Sequence, residues 1–245
     1  MTLGALLRRL RREPAIVPAA APGEPRSAPR TDVGRVRKIN EDRVLDRPGY
    51  GLWAVADGMG GLSAGDVAAE RTVATLAALD PVTEAGVLDA LQHANAAILA
   101  EGGGRSGATI VAAHIAGSRA TIFWAGDSRA YHVRGTVVRR ITRDHSVVQD
   151  LIDAGLLDED KADGHPRANV VTRALGVMAP VVIDTAQVTL ARGDRLMLCS
   201  DGVSRSLDVR DLARSGDLAA LADRLLAAAL ARDGSDNASL VLIEV

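Results

Sequence analysis

The chain has 245 residues, 47% of them hydrophobic, enough apolar material for one large globular core. A net charge of -2 and only 2% aromatic residues supply neither a basic face nor stacking platforms, which excludes nucleic acid as a partner. No apolar run reaches the ~18 to 20 residues of a membrane span. The start has no signal-peptide core, and the single cysteine, Cys199, permits no internal disulfide, so a reducing cytoplasm is expected.

Residues 1–30 differ from the rest. They carry six arginines against two glutamates and five of the nine prolines, which predicts a disordered linker over 14–30. Before it, Leu3, Leu6, Leu7 and Leu10 recur at helical spacing among Arg8, Arg9, Arg11 and Arg12. Such a basic amphipathic helix suits weak contact of residues 1–12 with a membrane surface or a partner. The globular domain is expected over 31–245.

Extended segments are expected over 31–40 and 42–46. The apolar run 52–56, with Gly51 before it and glycines after, reads as a buried strand ending at Asp57. Helices with apolar residues at i, i+3 and i+4 follow over 65–79 and 85–101, and Gly102-Gly103-Gly104 ends the second. Four strand-like runs, 108–115, 119–125, 130–134 and 136–141, are separated by Gly117-Ser118, Gly126-Asp127 and Gly135, and read as antiparallel hairpins. A helical stretch over 144–154 passes into a polar region, 158–167. Strands over 181–190 and 195–200 are joined by Arg192-Gly193-Asp194, then come a helix over 217–231 and a closing strand over 238–245. This order lacks regular βαβ alternation and points to α+β with antiparallel sheets.

The chemistry lies where aspartates interrupt apolar strands. Asp57, Asp127 and Asp201 follow strands and Asp236 precedes one; the first three have a glycine beside them. One Asp-Gly is ordinarily a turn, but four strand ends with four aspartates form a pattern. If those strands lie side by side the carboxylates repel one another unless cations intervene. All-oxygen ligands select hard ions such as Mg²⁺ or Mn²⁺, and no Cys/His pair suggests zinc.

Three other chemistries share the layout of Ala54-Val55-Ala56-Asp57-Gly58-Met59-Gly60-Gly61. A P-loop needs Gly-Lys-Ser/Thr and a dinucleotide fold needs G-x-G-x-x-G, and neither spacing is present. Gly61-Leu62-Ser63-Ala64-Gly65 does match the G-x-S-x-G elbow of serine esterases. That mechanism needs a histidine on a late loop, yet the last one is His165, and His93, His114, His132, His145 and His165 all read as ordinary helix, strand or loop residues.

Arg37-Lys38-Ile39-Asn40-Glu41-Asp42, Ala56-Asp57-Gly58-Met59-Gly60-Gly61, Gly126-Asp127-Ser128-Arg129, Ser200-Asp201-Gly202 and Asp236-Asn237 resemble, in order, the motifs of the metal-dependent protein phosphatases (PPM family, type 2C serine/threonine phosphatases). The resemblance covers 31–245. The bacterial branch is most similar, since His165-Pro166-Arg167 and Thr172-Arg173-Ala174-Leu175-Gly176 look like its flap.

The resemblance implies a four-layer αββα sandwich, two antiparallel β-sheets flanked by α-helix pairs, with a centre for two Mn²⁺ or Mg²⁺ ions and a weaker third at one end. Asp57 would bridge two ions. Asp201 and Asp236 would complete one, and the Gly58 carbonyl would bind the other, with Glu41 and Asp42 contacting it through water. Asp127 would help hold the third ion with Asp201, and Arg37 would receive the substrate phosphate on its planar fork of donors. The implied reaction is hydrolysis of phosphoserine or phosphothreonine on proteins, by a metal-bridged hydroxide attacking phosphorus in line.

The implied partners are phosphorylated proteins, either substrates or autophosphorylated forms of a serine/threonine kinase in bacterial signalling, with the chain a monomer. The remaining alternative is a catalytically weak phosphoprotein-binding regulator, against which the intact acidic set argues. Two departures stand out. Met59 replaces the histidine that animal members carry as a proposed general acid, and Ser106-Gly107-Ala108-Thr109 stands where Gly-Thr-Thr is usual.

Overall fold

The computed structural model describes residues 23–60, 64–162 and 164–245. Side-chain alternation along β3 (Leu52–Met59) builds two cores at once. Leu52, Ala54 and Ala56 pack with Leu76 and Leu91 of helices α1 (Ala64–Ala77) and α2 (Glu84–Gly102), whereas Trp53 and Val55 pack between two sheets. A strand covered on both faces has no polar side. This is why 52–56 and β4 (Gly107–Ala116) read as unbroken apolar runs.

One sheet has the order β2 (Asp42–Arg47), β3, β4, β5 (Arg119–Ala125) and β8 (Asp184–Thr189). The other runs β1 (Arg26–Asp32), β10 (Ala238–Glu244), β9 (Arg195–Cys199), β6 (Arg129–Arg134) and β7 (Val137–Arg140), and every pairing in both is antiparallel. On the outer face of this second sheet, Leu221, Leu225 and Ala229 of α6 (Leu218–Arg232) pack on Met197, Cys199, Leu240 and Leu242. The short helices α4 (Asp201–Ser204) and α5 (Val209–Leu212) add Val203 and Leu212 to the same cluster. The result is four layers, helix, sheet, sheet and helix. Helix α3 (Val147–Asp153) lies between β7 and β8 in the chain and is capped by Ser146, whose hydroxyl accepts from the Gln149 amide.

Several expectations are corrected. Residues 26–30, assigned to the linker, form most of β1, with Arg26 to Asp32 opposite Glu244 to Ala238. They read as linker because β1 is an edge strand, where Pro29 and half-exposed arginines are tolerated. Beyond Asp32, the predicted extended segment over 31–40 is loop. Gly126-Asp127 is no hairpin turn: β5 and β6 lie in different sheets, and the chain crosses the sandwich there. Arg192-Gly193-Asp194 likewise joins β8 and β9 across the two sheets. The predicted disorder and helix within 1–22 lie outside the described residues.

Candidate metal centre

Strand register brings the carboxylates together. Asp42 stands directly opposite Asp57, and Thr109 flanks Asp57 on the other side. Asp57 lies inside β3, rather than at its end, because pairing with β4 continues to Met59. It shares the parity of Trp53 and Val55, and Asp42 that of Val44, all of which pack between the sheets. From the other sheet, Asp201 opens α4 directly after β9, and Asp236 lies just before β10, the neighbour of β9. Asp127 enters at the crossing between the sheets. Five segments therefore deliver acids to one end of the sandwich.

The glycines beside these acids serve backbone packing. A Cβ on Gly58 would lie 2.1 Å from the Gly65 carbonyl oxygen, and one on Gly202 would lie 2.0 Å from that of Asn237. Only glycine lets these segments stack so closely. Asn237 then fastens the loop that carries Arg37: its Nδ2 donates to the carbonyls of Val33 (2.9 Å) and Ile39 (3.0 Å), and its Oδ1 accepts from the Glu41 amide (2.8 Å). The Glu41 carbonyl accepts from the Gly58 amide at 3.2 Å, and the Glu41 carboxylate lies beside Gly65.

The acids are under-compensated. Desolvation pushes the Asp57 carboxyl well above the usual carboxylate range, with Asp42, Asp201, Asp127 and Asp236 adding repulsion. Asp57 keeps part of its surface open, so the effect comes from the depth of protein around it and not from complete enclosure. Burial raises Asp42 to about 7, although Ser200 Oγ donates to its Oδ2 at 2.8 Å, and its buried Oδ1 has no partner. Asp127 is raised to about 7 by burial and then by Asp201 and Asp144. Burial raises Asp201 as well, partly offset by Arg205.

Two arginines hold part of this charge. Arg37 Nη2 donates to Asp236 Oδ2 at 2.9 Å, and Arg205 pairs with Asp201. Among the described residues no three acidic, histidine or cysteine side chains are already closed around one point. The donor set nonetheless fits a hard divalent cation. Every candidate ligand is an oxygen, the acids repel one another, and Asp42 presents a buried oxygen that no protein group satisfies.

Every predicted site residue reaches this end of the fold. Arg37 lies on a loop, not on the expected strand, with half of its side chain exposed. Met59 ends β3 and lies against Gly107, where its thioether has no proton to give. Sequence reasoning missed Asn237 as the tie of the Arg37 loop, Ser200 as the hydroxyl joining the two sheets at Asp42, and Arg205. It also missed His145, whose Nδ1 accepts from the Gly126 amide at 3.1 Å beside Asp127, and whose ring stacks on Trp124. A signal for Arg205 existed in its i+4 spacing from Asp201. Of the esterase elbow Gly61-Leu62-Ser63-Ala64-Gly65, residues 61–63, the serine included, lie outside the described residues, and Ala64 and Gly65 open α1.

Residues 37–151 match the family model described as protein phosphatase 2C. The serine/threonine phosphatase stp of Listeria monocytogenes is 35% identical over 236 residues, covering 88% of this chain and 94% of that one. The structure of PppA from Pseudomonas aeruginosa superposes with a TM-score of 0.84 at 37% identity, covering 91% of this chain and 99% of that chain. The catalytic domain of PstP, solved in complex with two manganese ions, superposes with a TM-score of 0.81 at 34% identity, covering 90% and 97%. With the same sandwich and relatives of this similarity along nearly its whole length, the chain belongs to the protein phosphatase 2C family of metal-dependent serine/threonine phosphatases.

Proposed function

We propose that Asp57, Asp201, Asp236 and the Gly58 carbonyl hold the two divalent ions of this phosphatase, and that the chain removes phosphate from phosphoserine and phosphothreonine on proteins. The observation that carries the assignment is the convergence of five aspartates on one end of the sandwich, with too few protein cations to balance them. When bound, Mn²⁺ or Mg²⁺ supplies Lewis acidity and lowers the pKa of a bound water toward neutrality.

The chain's own residues hold and orient. Asp57 presents its carboxylate from inside a paired strand, a rigid mounting that costs no reorganisation during turnover. Asp42 and Glu41 would act at one remove from the ions. Ser200 fixes the Asp42 carboxylate by donating to Oδ2. Arg37, held on its loop by Asn237, takes the phosphoryl oxygens with donors it does not spend on Asp236. Asp127 lines the same cavity as Asp201.

Substrates are placed among proteins phosphorylated by a serine/threonine kinase, the autophosphorylated kinase included; the names of the relatives support this class. We place the chain in the cytoplasm as a monomer. No helix among the described residues is long and apolar enough to cross a membrane, and Cys199 is buried without a disulfide partner. Residues 1–12 are assigned a weak surface contact on composition alone.

The test is phosphate release from a phosphothreonine peptide. Release that requires Mn²⁺ and stops in excess chelator is expected, and release that persists in chelator would contradict the assignment.

A further inference from the structure

Among the described residues no other residue donates a hydrogen bond to the Asp127 carboxylate, so that side chain stands where its backbone puts it. The backbone is held by the buried His145. Its amide donates to the Gly126 carbonyl at 2.9 Å, its Nδ1 accepts from the Gly126 amide at 3.1 Å, and its ring stacks on Trp124 with 6.2 Å between centroids. Because an amide can only donate, Nδ1 carries no proton. Burial pushes the imidazole below its ordinary pKa against the pull of Asp184, so the ring is neutral and its one proton is on Nε2. Arg173 Nη1 lies 2.9 Å from Nε2, which leaves Asp184 Oδ2, at 3.2 Å, as the acceptor of that proton, and Arg173 donates to the other Asp184 oxygen at 2.7 Å. The chain leaves and returns at the same point: Ser146 pairs with Val171, and the Thr172 amide donates to the His145 carbonyl at 2.8 Å.

Resting on the reading of Asp127 as a residue of the metal centre, we propose that His145 is a positioning residue whose two nitrogens do separate work: Nδ1 sets where Asp127 stands, and Nε2 ties that point, through Asp184 and Arg173, to the base of segment 146–171. Gly126 leaves the crossing no other support of this kind. Its φ is +119°, and a Cβ there would lie 2.4 Å from that of Thr109, so the residue before Asp127 has no side chain with which to anchor itself. A neutral imidazole presents an acceptor and a donor on opposite edges of one rigid ring, which suits it to join a backbone amide on one side to a carboxylate on the other. Segment 146–171 contributes Gln149, Ile152 and Asn169 to the cavity that Asp127 and Asp201 also line, so the ring links two walls of one site.

The experiment splits the two nitrogens. An asparagine carboxamide reaches the place of Nδ1 and a glutamine carboxamide that of Nε2, so His145→Asn keeps the acceptor for Gly126 and His145→Gln keeps the donor to Asp184. With nitrophenyl phosphate and Mn²⁺, His145→Gln is expected to lower kcat about tenfold with little change in KM, and His145→Asn to recover most of that loss. Added to Asp127→Ala, His145→Gln should cost nothing more, because it acts through the residue already removed. Nitrogen-15 NMR of the metal-free wild type should show the Nε2–H tautomer at His145 and slow hydrogen exchange at the Gly126 amide, with the slow exchange kept in His145→Asn and lost in His145→Gln. Equal losses in the two variants, or a loss from His145→Gln that adds in full to that of Asp127→Ala, would make His145 a packing residue only and overturn the inference. A proton on Nδ1 in the wild type overturns it without reference to any variant. An Asp127→Ala chain with the kcat of the wild type defeats the reading of Asp127 itself, and the inference with it.

Discussion

Strand β9 has an aspartate near each end, Asp194 buried and Asp201 half-buried, and the protein treats the two in opposite ways. Asp194, before the strand, accepts from Arg134 Nη2 (2.6 Å), His132 Nε2 (2.8 Å) and the Ala191 amide (3.0 Å). Burial alone would raise its pKa, but Arg134, Ala191 and His132 more than offset it and hold the carboxyl below its ordinary value. Asp201, after the strand, is raised by burial and by Asp236, and Arg205 offsets only part of this. A structural carboxylate is completed by the protein. A ligand is left for solvent to complete.

Mutation should separate the two ends most sharply. Asp57→Ala or Asp201→Ala is expected to abolish turnover while leaving the melting temperature of the metal-free chain unchanged or higher, because each removes repulsion. Asp194→Asn should do the reverse, keeping the rate per folded molecule and losing about 2 kcal/mol, since it weakens hydrogen bonds to a charged group, one of them to a half-exposed arginine. Denaturant melts and initial rates on the same samples check both. A stability loss in Asp201→Ala equal to that in Asp194→Asn would erase the distinction.

Arg37→Ala should follow in size. Losing a charge-assisted contact to phosphate costs ~1.5 to 3 kcal/mol, roughly 10- to 100-fold in kcat/KM, carried mainly by KM. An unchanged kcat/KM would make Arg37 only the partner of Asp236.

A smaller effect separates two truncations. Starting the chain at Gly23 should preserve stability, whereas starting it at Thr31 removes the pairing of 26–30 with β10 and the Arg30 contact with Asp223, a loss of roughly 2 kcal/mol. Equal melting curves would show that β1 contributes nothing.

The two ends should also differ in pH dependence. Asp42 and Asp127 have folded values of about 7 against an ordinary 3.8, so the metal-free fold binds protons that the unfolded chain has released. Their contribution is full below 3.8 and is lost as pH rises through about 7. Asp194, held low, contributes above its ordinary value and loses its contribution only as pH falls through its depressed folded value. The metal-free chain should therefore melt at lower temperature at pH 7 than at pH 5. Asp42→Asn combined with Asp127→Asn should flatten that slope, and an undiminished slope in the double variant would place its origin elsewhere.

Much of this was legible in the residues. Short apolar runs and glycine punctuation located the strands, and the acids interrupting those runs located the site, because burying a carboxylate is costly enough to be informative. Sheet membership was not legible. Gly126-Asp127 has the composition of a hairpin turn whether the chain doubles back or crosses, and only the packing of Trp124 and Ala130 in the inter-sheet core distinguishes these. Edge strand β1 was lost to Pro29 and its arginines, which satisfy a linker's composition as readily as an edge's. The pairing of Arg37 with Asp236 joins residues 199 positions apart, a distance no local pattern spans.

The central claim is that the acids around Asp57 are left unbalanced in order to bind metal. The most direct measurement is the melting temperature of the metal-free chain with and without added Mn²⁺, for the wild type and for Asp57→Asn combined with Asp201→Asn. Ligand that binds only the folded state raises stability with its concentration. A rise in the wild type that disappears in the double variant is the predicted result, and an equal rise in both proteins, or none in the wild type, would contradict the account.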